Sequence, residues 1–181
     1  YTGKVITSAV SEKFSIIGGV KEYFYADKTT TSGISENSHR RQTFKIGGNG
    51  INEDFYFTGM GLNFDSTDQD APICISLFDS PGTELLSYNC SERTSAGIIR
   101  YSMPIINMTK DTEYSIVINT SETGSNTDSE RWTCRMDDGY AFGKEYYGKP
   151  ATGWTEETGF DCWFEIYGTD QICHEDLDCG N

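Results

Sequence analysis

Apolar side chains recur at every second position through most of this chain, in short runs broken by clusters of Gly, Pro, Asn, Asp and Ser. That alternation turns one side chain toward a core and the next toward water, so each run reads as a half-buried β-strand. Phe44 and Ile46 alternate ahead of a Gly47-Gly48-Asn49-Gly50 turn. Phe55 and Phe57 alternate, Gly59 shifts the phase, and Met60, Leu62 and Phe64 continue, which predicts a β-bulge at the glycine. Further one-sided sets are Ile73/Ile75/Leu77, Ile99/Tyr101/Met103, Tyr114/Ile116/Ile118, Trp132/Cys134/Met136 and Cys162/Phe164/Ile166. No long 3.6-residue period appears after residue 40. The prediction is an all-β sandwich of two antiparallel sheets.

The opening stretch reads two ways. Ile6, Val10, Phe14 and Ile17 recur at helical spacing, with Gly18-Gly19 as a C-cap. The same residues fit two short strands, with Gly18-Gly19 turning into a strand from Val20 to Tyr25, and this reading is preferred. The polar run from Ala26 to Arg41 then reads as a loop. The expected division is a lead over 1–40 (a donor strand or an added hairpin), a sandwich over 41–169 and a tail over 170–181.

The six cysteines include no CxxC, and only His39 and His174 could complete a zinc site, so disulfides are the expected state. Folding a hairpin about Gly82 sets Cys74 opposite Cys90, each eight residues from the tip. Cys173 and Cys179 would close a small loop in the tail. Cys134 and Cys162, both at inward positions, would join neighbouring strands. Sequons at Asn89, Asn107 and Asn119 fit a secreted glycoprotein. A start at Tyr1 without Met or apolar leader fits a mature chain after signal removal, and no segment approaches 18 consecutive apolar residues. The expected location is extracellular or at the cell surface.

Charge narrows the partners. With 28 acids against 14 Lys and Arg, net charge is −14, and no basic face for nucleic acid or an anionic membrane is expected. Aromatic residues make up 13%, too many for a disordered chain.

The order of short motifs resembles a jelly-roll β-sandwich module of secreted and cell-surface proteins of bacteria and archaea, of the carbohydrate-binding-module kind. The matching segments are Gln42-Thr43-Phe44, the hairpin from Ser76 to Leu86, Met108 to Ile118, Trp132, Tyr140 to Tyr147, Gly153-Trp154-Thr155 and Asp161 to Gly168. The resemblance spans roughly 40–169 and implies a jelly roll serving as an accessory, adhesive or structural module, with no shared catalytic residue. The cysteines and the long lead depart from it and suit a free-standing subunit.

Candidate chemistry is sparse. His39 reads as part of a polar loop and His174 as part of the acidic tail, so neither is expected on a strand end beside a nucleophile; no hydrolase, phosphate-loop or dinucleotide motif occurs, so no enzyme is expected. Asp65, Asp68 and Asp70 share a loop that could hold calcium, the one cofactor considered. Trp154, Trp163, Tyr146 and Tyr147 are expected to offer flat rings to a glycan. The apolar lead residues Val5, Ile6, Val10, Phe14, Ile16 and Ile17 are expected to pair with the open edge of a second copy. The leading expectation is therefore a non-catalytic subunit of an extracellular filament or surface assembly. A carbohydrate-binding or adhesive module comes second and a secreted hydrolase third.

Overall fold

The computed structural model describes residues 19–26, 30–35, 38–65, 72–79, 84–91, 96–120, 130–136 and 139–170. Within them the chain is all β, with 13 strands numbered in chain order. The first sheet runs β1 (Gly19–Phe24), β13 (Phe164–Thr169), β4 (Phe55–Phe64), β9 (Glu130–Arg135) and β12 (Asp161–Cys162), with β2 (Thr30–Ile34) paired to β9 and β7 (Gly97–Met108) to β4. The second runs β11 (Gly153–Glu156), β10 (Glu145–Lys149), β3 (His39–Lys45), β8 (Glu113–Thr120), β5 (Ile73–Asp79) and β6 (Leu85–Ser91). Every pairing is antiparallel.

The alternating runs supply the core between the sheets. Phe57, Met60, Leu62, Phe64, Trp132, Phe164 and Ile166 of the first sheet are buried in one cluster with Phe44, Ile75, Leu77, Ile116 and Ile118 of the second. Each such side chain contributes roughly 1.5–3 kcal/mol by leaving water. The phase shift at Gly59 is a bulge: the register of β4 against β7 slips between Phe57 and Gly59, so residues of both parities face one core. A Cβ at Gly59 would stand 2.4 Å from the Tyr101 carbonyl oxygen, which explains why glycine occupies the slip.

Both disulfides expected on the strands are present. Cys74 and Cys90 are directly opposed on β5 and β6, and Cys134 and Cys162 on β9 and β12, with Cα separations of 4.1 and 3.9 Å. Cys173 and Cys179 lie outside the described residues, as do Val5, Ile6, Val10, Phe14, Ile16 and Ile17.

Three expectations are corrected. The run from Ala26 to Arg41 is not a loop: it contains β2, and β3 begins at His39. Residues from Gly19 onward also belong to the sandwich, because β1 pairs with β13 of its own chain, so the boundary at residue 40 falls inside a strand. Met136 does not continue the inward set of Trp132 and Cys134, since β9 ends at Arg135 and Met136 is 59% exposed.

Candidate functional site

The outer face of the second sheet gathers chemistry from strands that are distant in sequence. Along β3, Gln42 and Phe44 point into the core, so Arg41 and Thr43 point out. Along β8, Ser115 and Val117 point out between Tyr114, Ile116 and Ile118. Register sets Arg41 beside Tyr146 on one neighbour and Val117 on the other. The β10–β11 hairpin then turns back through Pro150, with positive φ at Gly148 and Gly153. A Cβ at Gly148 would stand 2.3 Å from the Gly153 carbonyl oxygen, so only glycine permits this close reversal.

The hairpin lays Trp154 beside Arg41. The guanidinium carbon lies 5.4 Å from the Tyr146 ring centre and 5.8 Å from that of Trp154, within cation–π range of both. Next to it opens a cleft of about 40 Å³ lined by Arg41, Phe78, Ser115, Val117, Pro150 and Trp154. Trp154 on β11 and Phe78 on β5 are four strand spacings apart, about 19 Å across a flat sheet. Their side chains nevertheless line one cleft, across the outer face of the strands between them. Ser115 is 1% exposed, and its Oγ has no hydrogen-bond partner among the described residues.

The four aromatic residues expected to face a glycan therefore separate. Tyr146 and Trp154 come together on the outer face. Tyr147, one position on, faces the other side, where its ring lies 5.7 Å from Arg40. Arg40 is itself held by the Gly33 carbonyl and by Glu157, each at 2.6 Å. Trp163 is not exposed, as its alternation with Phe164 predicts, but buried. Its backbone N–H donates to the Thr133 carbonyl, its own carbonyl accepts from Trp132 Nε1, and its ring stacks on Tyr25 at 5.4 Å.

That stack belongs to a polar cluster on the outer face of the first sheet which the sequence reading missed. Tyr25 donates to Glu165 Oε1 at 2.9 Å, Tyr167 donates to Glu165 Oε2, and Arg100 Nε donates to the Tyr167 oxygen at 2.6 Å. Burial, then the Glu165 carboxylate, push the Tyr25 phenol up to about 12. The signal was present in Glu165 and Tyr167, which alternate outward against Phe164 and Ile166. Both carboxylate oxygens are engaged within the protein, so the cluster is complete without a ligand.

Other expected sites are placed as follows. Asp65 is exposed and donates its backbone N–H to the Arg131 carbonyl, whereas Asp68 and Asp70 lie outside the described residues. Asn107 is exposed on β7. Asn89 and Asn119 are half-buried, with their amides bonded to the carbonyls of Ser102 and Thr120. Cys134 Sγ, Cys162 Sγ and a Glu145 oxygen lie within 4.8 Å of one another, but the disulfide consumes both sulfurs as metal ligands. Burial pushes the Glu145 carboxyl up to about 7, against the lowering pull of Ser32 and Arg40. It is sealed from solvent, so no substrate reaches it.

No protein-family model and no curated protein matches the chain. Function is therefore argued from the face itself.

Proposed function

We propose that this chain is a non-catalytic carbohydrate-binding module of an exported protein, and that it holds its glycan on the outer face of the second sheet. The observation that carries this reading is the cleft between Trp154 and Phe78, where an aromatic ring, a cation and an unpaired hydroxyl converge. A flat ring stacks on the C–H face of a sugar, and a few fixed polar groups beside it give orientation. The disulfides suit an oxidising compartment, and no helix among the described residues is long and apolar enough to cross a membrane. The jelly-roll resemblance agrees with this use of a sandwich face. Among the sequons, Asn107 accepts a glycan without breaking a hydrogen bond. A glycan array probed with and without calcium tests the proposal. Trp154→Ala is expected to weaken the wild-type binding at least tenfold, and a wild-type chain that binds no glycan ends the proposal.

A filament subunit is the second reading, favoured by one feature: among the described residues β11 pairs on one side only, leaving an edge that an incoming strand can extend. Removing residues 1–17 is then expected to yield monomers with an unchanged β circular-dichroism spectrum. Normal polymers from that truncation, seen by electron microscopy, would rule it out.

A further inference from the structure

The cleft beside Trp154 is too small for a sugar ring. A buried water needs roughly 10–15 Å³ of such space, so 40 Å³ admits about three waters or one small polar group. Resting on the carbohydrate-binding reading, we propose that this group is the carboxylate of an acidic sugar, so that the module recognises uronic-acid-containing glycans. The sugar ring lies on Trp154 at the rim, and its carboxylate enters the cleft between Arg41 and Ser115.

Three features of the lining carry this assignment. Its one ionic group is Arg41, whose planar donor fork matches a carboxylate better than a single hydroxyl. The Tyr146 and Trp154 rings both lie within cation–π range of the guanidinium and restrict it, which lowers the entropy lost on pairing. Ser115 contributes a buried Oγ that lacks any partner among the described residues, and an unpaired buried hydroxyl is costly until an acceptor arrives. A carboxylate oxygen accepts from this hydroxyl, and Arg41 beside it supplies the opposite charge.

The remaining walls reinforce the choice. Phe78, Val117, Pro150 and Trp154 are apolar, so an ion pair formed there is less screened than one on open surface. Among the described residues no acidic side chain lines the cleft, and the nearby Glu156 is paired with Lys144 at 2.6 Å. An anion therefore enters without meeting a like charge, although the chain as a whole carries −14.

The test uses the full chain and isothermal titration calorimetry with uronate oligosaccharides, their carboxyl-reduced neutral counterparts, and sulfated oligosaccharides of equal length. Uronates are expected to bind at least tenfold more tightly than the reduced forms. Arg41→Met, which keeps an unbranched stem beside the two rings, is expected to abolish that preference while leaving weak binding to both. Ser115→Ala is expected to weaken uronate binding several-fold with an unchanged circular-dichroism spectrum. Equal affinity for acidic and reduced oligosaccharides overturns the inference but leaves the carbohydrate-binding proposal standing, and so does a preference for the sulfated forms. Absence of binding to every oligosaccharide overturns both.

Discussion

Glu22 Oε2 accepts the backbone N–H of Gly48 at 3.0 Å, and the amides of Gly47, Asn49 and Gly50 close on the same buried carboxylate. The turn before β4 is thereby an anion-binding nest occupied by a side chain from β1. The Tyr140 hydroxyl lies against the carboxylate at 3.3 Å, and burial followed by the Glu22 charge raises that phenol. Four backbone donors on one carboxylate tie β1 to this turn, in addition to its ladder with β13.

Glu22→Ala would leave those donors buried without an acceptor. The expected cost is at least about 3 kcal/mol in urea unfolding, with Glu22→Gln losing about half as much because one acceptor oxygen remains. Unchanged midpoints in both variants would show that water replaces the carboxylate freely.

Gly148→Ala tests the hairpin that carries Trp154. The added Cβ meets the Gly153 carbonyl, and φ at this residue is +142°. Stability is expected to fall by about 1–3 kcal/mol. Oligosaccharide affinity is expected to fall at least tenfold, because Pro150 and Trp154 shift together. Retained affinity would mean that the hairpin does not set the site.

Glu145 makes stability depend on pH. Its folded-state pKa of about 7 lies above the ordinary 4.5, so the protonated form is the one that the fold favours. That contribution is complete below about pH 4.5, declines as the pH rises, and is lost once the pH passes about 7. The difference amounts to about 3 kcal/mol. Urea unfolding at pH 5 and pH 8 should show the decline in the wild type and little of it in Glu145→Gln. Parallel behaviour of the two proteins would refute the assignment.

The two disulfides should separate under mild reduction. Cys90 is exposed, whereas Cys134 and Cys162 are fully buried. Brief thiol treatment followed by alkylation and mass spectrometry is expected to label Cys74 and Cys90 first. Loops spanning 16 and 28 residues give each bond between about 3 and 4 kcal/mol by chain entropy. Cys134→Ala/Cys162→Ala is expected to cost more than the other pair, since it also opens a cavity. Labelling in the reverse order would contradict this picture.

What the sequence made legible follows from locality. Phe55, Phe57, Met60, Leu62 and Phe64 share one core, so their alternation and its break at Gly59 could be read directly. Cys74 and Cys90 lie on one hairpin, and counting from its tip fixed their pairing. Thr30–Ile34 was missed because its only large apolar residue is Ile34, and its strand character comes from pairing with Glu130–Arg135. Trp163 did alternate outward, but Tyr25, just past the end of β1 and almost 140 residues away, covers it. The cleft required Phe78, Ser115 and Trp154 to converge from three strands distant in sequence, and no local pattern encodes that convergence.

Arg41, within cation–π range of two rings on a chain of net charge −14, gives recognition and approach opposite electrostatic signs. A polyanionic chain nearing the protein is repelled at long range and attracted only over the last few ångströms. Ions screen the first effect across the Debye length, about 8 Å at physiological strength, far better than they screen a pair enclosed by apolar walls. Moderate ionic strength should therefore speed capture without hastening escape, the reverse of a basic protein gripping a polyanion. Assays in dilute buffer would understate what this surface can hold.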